Sequence, residues 1–174
     1  HGTYRGEAGA IAELASDGNV TIRSGTQDIG TGTYTIMAQV ASDALALPIK
    51  KIKIELGDTR FPQTPMSGGS QTAATISSTV SAACHALLDK LFDTAIADIK
   101  SSLHGSTKQQ LIFVGGKLYK KDSDLSESCV DLLKRNNLKV LQATAKTEPT
   151  KESEKYSKRS FGAQFAEVQI DPEL

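Results

Sequence analysis

Tryptophan is missing from the 174 residues, and aromatic side chains make up only 5% of them. A core must then be assembled from Ala, Leu, Ile and Val, and a row of rings on which bases could stack is excluded. An excess of charge of either sign is lacking too. Twenty Lys and Arg balance twenty Asp and Glu, so no overall field steers the chain toward nucleic acid or an anionic membrane. Any anion site must be local. No apolar run approaches the roughly 20 residues that span a bilayer, and the opening His1-Gly2-Thr3-Tyr4-Arg5 has no signal-peptide core. Cysteine is scarce: Cys84 and Cys129 form no CxxC, lie near no second ligand, and predict two ordinary thiols on helices rather than a metal centre or a disulfide framework.

What is present alternates between two periodicities. Residues 7–15 and 19–23 read as a hairpin turned by Asp17-Gly18, where Gly supplies the positive φ of a tight turn. After a loop of small residues, Ile36, Met37, Val40, Ala41, Ala44 and Leu45 recur at helical spacing until Pro48. Residues 51–56 alternate charged and aliphatic side chains, as a half-buried strand does. A turn-rich stretch, 61–70, leads into the longest periodic segment. There Ile76, Val80, Ala83, Leu87, Leu91, Ala95, Ile99 and Leu103 step by three or four, predicting about eight turns of amphipathic helix ending near Gly105.

Residues 110–114 and 117–120, joined at Gly115-Gly116, predict a second hairpin; 125–135 a short helix; 138–143 another strand. Between 145 and 160 no apolar period survives, which predicts a mobile surface loop, and 160–170 alternate again as a final strand. The expectation is one domain over 1–174 of α+β class, a mixed sheet with β-hairpins and helices packed against it.

Chemistry concentrates in two places that share a plan of strand, small-residue loop and helix. Val20-Thr21-Ile22-Arg23 runs through Gly30-Thr31-Gly32 to a helix at Thr33, and Ile52-Lys53-Ile54-Glu55 runs through Ser67-Gly68-Gly69-Ser70 to a helix at Thr72. Unpaired N–H groups and the positive end of the helix dipole make each start a candidate phosphate cradle. Neither loop is a Walker A motif or a full dinucleotide fingerprint, and glycines in turns with Ser70 as a cap would account for either alone. Other groups fare worse. Cys84 and His85 diverge by about 100° around a helix and cannot share a metal. His104 suits a contact at a helix C-terminus, and Glu55 and Asp58 fall on opposite faces of an extended strand. No catalytic and no metal-ligating residue is expected from spacing.

Longer matches carry more than the loops do. Gly25-Thr26-Gln27-Asp28-Ile29-Gly30-Thr31-Gly32-Thr33-Tyr34-Thr35, Gln39-Val40-Ala41-Ser42, Glu55-Leu56-Gly57-Asp58-Thr59, Ser67-Gly68-Gly69-Ser70-Gln71-Thr72-Ala73-Ala74 and Ser160-Phe161-Gly162-Ala163-Gln164-Phe165-Ala166-Glu167-Val168 follow one another in an order that resembles the large, molybdopterin-binding subunits of the xanthine dehydrogenase and aldehyde oxidase family. The resemblance implies a molybdenum hydroxylase, which inserts oxygen from water at a carbon centre. It implies a molybdenum–molybdopterin cofactor, in its simple or cytosine dinucleotide form, with [2Fe-2S] clusters and FAD on other domains or subunits. By position, Ile29, Gly30, Thr31 and Gly32 match one cofactor-contacting segment, and Ala74, Thr75, Ser77 and Ser78 match a second. Where Thr31 stands, family members often have Gln.

The same resemblance implies that the catalytic glutamate, the glycine-rich Phe loop over the cofactor and the iron–sulfur domains lie outside these residues, so this chain alone is expected to be non-catalytic. Its implied partners are the remainder of the large subunit, iron–sulfur and FAD subunits or domains, and a small heterocycle or aldehyde as substrate, with no nucleic acid and no membrane; the cytoplasm is favoured over the periplasm. Two further readings stand beside this one: a generic phosphate- or nucleotide-binding module, and a structural or interaction domain in which the loops are only turns.

Overall fold

The computed structural model describes residues 6–148, 163 and 165–171. Strand β1 (Ala8–Ala15) turns at Gly18 into β2 (Val20–Ser24), and the chain then passes through helix α1 (Thr33–Leu45) to β3 (Ile52–Leu56). Helix α2 (Thr72–Ala97) follows, then β4 (Leu111–Val114), β5 (Lys117–Lys120), β6 (Ser126–Ser128), α3 (Cys129–Arg135) and β7 (Val140–Thr147). The main sheet runs β3-β2-β1-β7, with β2 and β3 parallel and the other pairs antiparallel; β4-β5-β6 form a small antiparallel sheet. The α+β class and mixed sheet expected from the sequence are what the chain adopts.

Period two explains which face of the sheet is covered. Ala8, Ala10, Ala12 and Leu14 of β1 and Val20 and Ile22 of β2 are buried, and their small side chains let α2 lie against β1 and β7. The α2 stripe of Ile76, Val80, Ala83, Leu87, Leu91 and Ala95 meets them, and Met37, Ala41 and Leu45 of α1 join from the side. The small sheet closes the same core with Leu111, Phe113 and Leu118, and α3 adds Cys129, Leu132 and Leu133. The opposite face of the main sheet is polar. There Arg23 donates to Glu13 at 2.6 Å and to Glu55 at 2.7 Å, joining three adjacent strands.

Four expectations change. Helix α2 stops at Ala97 rather than near Gly105, because Asp98 leaves the helical conformation and its carboxylate accepts the Lys100 N–H at 2.9 Å while also bonding Arg135 and Asn136. Leu103 is still buried by the turns that follow, but Ile99 is 79% exposed. The helix expected over 125–135 begins only at Cys129, since Ser126–Ser128 pair with β5 as a strand. Strand β7 extends to Thr147 because its register with β1 continues to Ala8↔Thr147, so it takes in the start of the stretch expected to be a loop; 149–160 lie outside the described residues. The final strand is not formed by the described part of 160–170: residues 165–170 carry no regular structure and are exposed, with Phe165 95% exposed. Among the described residues no strand pairs with them, and alternation by itself does not make a strand.

Candidate functional site

Strands β2 and β3 are parallel neighbours in the register Ser24↔Leu56, so both end at the same edge of the sheet. The two small-residue loops leave from those ends, and in α/β arrangements this crevice beyond the strand C-termini is where ligands sit. Glycines let the second loop approach. At Gly25 a Cβ would lie 2.8 Å from the Pro62 carbonyl oxygen, and at Gly9 only 2.5 Å from Pro62 Cβ. The gaps are used for hydrogen bonding: the Gly25 N–H donates to Pro62 O at 2.8 Å and the Gly9 N–H to Gln63 O at 2.9 Å.

Gln27 then joins the loops directly. Its Oε1 accepts the Ser67 N–H at 3.2 Å, and its backbone carbonyl accepts the Ser67 hydroxyl at 3.2 Å and the Thr33 hydroxyl at 3.2 Å. The helix starts at Thr33 and Thr72 are thereby held in one region, although nearly forty residues separate them in sequence.

The two starts differ in what they offer. At α2 the N-cap residue Gln71 makes no side-chain cap, no acidic residue occupies the first turn, and the first helical N–H to be satisfied is that of Thr75, on Gln71 O. The N–H groups of Thr72, Ala73 and Ala74 therefore have no helical acceptor and point toward the loop. At α1 the N-cap is Gly32, in the left-handed conformation with φ 77°. Here Asp28 turns back and accepts the Gly30 N–H at 2.9 Å and the Tyr34 N–H at 3.4 Å. Desolvation of this carboxyl works upward, but the N–H groups of Gly30, Tyr34, Gly32 and Thr33 outweigh it and hold its pKa below the ordinary value. The positive end of α1 already faces a carboxylate, whereas the first turn of α2 holds no acidic residue.

The residues matched to the first segment lie on the surface. Ile29 is 65% exposed, Gly30 and Thr31 are exposed, and no atom lies within 4 Å of where a Cβ of Gly30 or Gly32 would stand. In the second segment Ala74 is half-buried, while Ser77 and Ser78 donate to the carbonyls of Ala73 and Ala74 at 2.6 and 3.2 Å. Each hydroxyl proton is thereby engaged on the helix's own carbonyls. Thr75 is buried, with 3% exposure, and its hydroxyl faces inward. Gln27, Asp28, Ser67 and Gln71 had no role assigned from the sequence, although all four stand inside the segments that carry the family resemblance.

Elsewhere the geometry is structural. Cys84 is buried, which pushes its thiol up to about 12, while His85 is exposed and its Nδ1 lies 2.7 Å from Ser81 O. His104 Nδ1 lies 2.8 Å from Ile96 O at the α2 C-terminus. Glu55 is bonded by Lys53 and Arg23, and Asp58 by Arg60, which lowers Asp58 to about 2. Among the described residues no group of three or more His, Cys, Asp or Glu is placed to hold a metal ion, and no helix is long and apolar enough to cross a membrane.

The arrangement fits a ligand that brings an anionic group to α2 and hydrogen-bonding groups to the glycine loop before α1. A family model described as a molybdopterin cofactor-binding domain matches residues 1–174. The chain belongs to this family. Over 112 residues it is 37% identical to the molybdenum-binding subunit of an aldehyde oxidoreductase from Escherichia coli, an alignment covering 64% of this chain and 14% of that protein. Over 100 residues it is 32% identical to a xanthine dehydrogenase/oxidase from Gallus gallus, covering 57% of this chain and 7% of that one. The chain thus spans about a seventh or less of the length of these relatives. In fold it is similar to quinoline 2-oxidoreductase from Pseudomonas putida, with a TM-score of 0.71 at 17% identity over 83% of this chain and 19% of the other. It is also similar to CO dehydrogenase from Oligotropha carboxidovorans, with a TM-score of 0.67 at 21% identity over 82% of this chain and 18% of the other.

Proposed function

We propose that this molybdopterin cofactor-binding domain supplies two of the segments that hold a molybdenum cofactor in a hydroxylase of the xanthine dehydrogenase and aldehyde oxidase type. The observation that carries the reading is the pairing of two helix starts at one edge of the sheet, tied by Gln27 and Ser67, with the N–H groups of the α2 start unpaired. The phosphate belongs at α2, on the N–H groups of Thr72, Ala73 and Ala74, and the Ser77 and Ser78 hydroxyls join them by turning from the Ala73 and Ala74 carbonyls to donate to it. The α1 loop, whose dipole is already met by Asp28, serves the neutral hydrogen-bonding edge of the pterin through the backbone of Ile29, Gly30, Thr31 and Gly32 and the Thr31 hydroxyl. Thr75 supports this surface from below.

The bound molybdenum supplies the redox chemistry of oxygen insertion at a carbon centre. This chain's part is to bind and orient. The residue that moves the proton and the clusters that carry electrons away belong to the remainder of the large subunit and to iron–sulfur and FAD domains or subunits, and the substrate class is a small heterocycle or aldehyde. The 37% identity to an aldehyde oxidoreductase subunit supports this assignment.

Molybdenum content and oxidised-pterin fluorescence, measured on the natural full-length protein from a host that makes the cofactor, test the reading. One metal and one pterin per chain are expected. A folded protein with its partner subunits and neither component would contradict it and favour a phosphate site for another ligand.

A further inference from the structure

Beside the α2 start, and lined in part by Thr72, lies a small cavity with a chemistry of its own. Thr64 Oγ1, Gln71 Oε1 and Thr75 Oγ1 are all cut off from solvent, and none has a hydrogen-bond partner. Gln71 and Thr75 are 8% and 3% exposed. The three residues line one cavity of about 10 Å³, together with Ala8, Thr26 and Ile76 among others. Buried polar atoms are rarely left unpaired, so three around one small cavity mark an unassigned ligand.

Size and chemistry together select it. The cavity holds about one water-sized molecule, and a water needs two to four polar partners. Two hydroxyls, each able to donate or accept, and one amide oxygen supply them. The Gln71 amide is oriented for this, because its Nε2 already donates to Met66 O at 3.2 Å and leaves Oε1 toward the cavity. No carboxylate lines the wall, so a cation would have no charge to offset its desolvation. We propose that this cavity is a binding site for one ordered water, which bridges the 61–71 loop to α2 through Thr64, Gln71 and Thr75.

The water anchors the loop from inside. Pro62 and Gln63 cross the strand ends on Gly25 and Gly9, Gln71 is the N-cap of α2, and the water bonds the stretch between them to the body of the helix. The Thr75 hydroxyl is thus a positioning group for the loop. The inference concerns the polypeptide alone and holds whether or not the surface site takes molybdopterin.

A crystal structure of the cofactor-free, natural full-length protein at a resolution that shows waters is the test, paired with amide exchange at Gly9 and Gly25. A single isolated peak within hydrogen-bond distance of Thr64 Oγ1, Gln71 Oε1 and Thr75 Oγ1 is expected. Thr75→Val should lose the peak and speed exchange at both amides about tenfold, as expected for removal of one buried anchor; Thr75→Ser should retain both properties of the parent. No peak at the three atoms, or a Thr75→Val protein whose exchange matches the parent, would overturn the proposal. Because neither readout involves metal or pterin, its failure is separable from failure of the cofactor assignment.

Discussion

The Gln27 side chain accepts the backbone N–H of Ser67 at 3.2 Å, bonding the loop before α1 to the loop before α2 across forty residues. Parallel pairing of β2 and β3 brings the loops to one edge, and this bond fixes their spacing. Gln27 is exposed, so its replacement leaves the core intact. Gln27→Ala is expected to cost about 0.5–1.5 kcal/mol in unfolding free energy, since one ordinary hydrogen bond between the loops is lost. Cofactor retention should fall more sharply than thermal stability. Chemical denaturation and metal analysis of the same preparation check both.

Close approach makes Gly25 and Gly30 respond differently to the same change. Gly25→Ala drives a Cβ to 2.8 Å from Pro62 O, a backbone atom held by its own hydrogen bond, and is expected to destabilise by about 1–3 kcal/mol. At Gly30 nothing stands within 4 Å, and only its φ of 94° opposes a side chain. Gly30→Ala should therefore be milder for the fold, at about 1 kcal/mol, while placing a methyl group on the proposed cofactor surface. Denaturant titrations of the two variants separate packing from conformational cost.

Asp98 gives the fold a dependence on acid. The Lys100 N–H, then Arg135 and Asn136, lower its carboxyl from 3.8 to about 2. A depressed carboxylate contributes stability that is fully present above its unfolded pKa and is lost as pH falls through the folded value. The contribution should thus be complete at pH 5 and disappear between about pH 4 and 2. Asp98→Asn is expected to be less stable than the parent at neutral pH, with the gap closing over that window; urea titrations at several pH values measure it.

The same residue shows where sequence periodicity stops being informative. Ile99 and Leu103 continue the spacing of α2, yet Asp98 bonds the N–H two residues on and is pinned by Arg135, the last residue of α3, and by Asn136 just after it, contacts 37 and 38 residues away that no local pattern encodes. Ser126–Ser128 form a strand on polar residues because β5 offers them a partner, and short polar strands carry no period to read. By contrast, the β1–β2 hairpin and the starts of α1 and α2 were legible, because glycine, proline and apolar spacing are local signals. The glycine loops were legible as well. What joins them was not: Gln27 is an ordinary polar residue until the β2–β3 pairing places Ser67 opposite it.

Both cysteines should be silent in the native protein. Cys84 is buried and its thiol lies near 12, and burial also raises Cys129, so neither presents a thiolate at neutral pH. A thiol reagent should label neither until the chain unfolds and then label two per chain, with kinetics that follow denaturation measured by circular dichroism.

The central claim is that the α2 start holds the anionic part of the cofactor, and Ala74→Glu tests it most directly. A carboxylate in the first turn of a helix is compatible with its dipole, so the variant should fold with unchanged or slightly higher stability. The same charge repels a phosphate at the N–H groups of Thr72, Ala73 and Ala74. Molybdenum and pterin should be near one per chain in the parent and nearly absent in the folded variant; equal content in both would contradict the account.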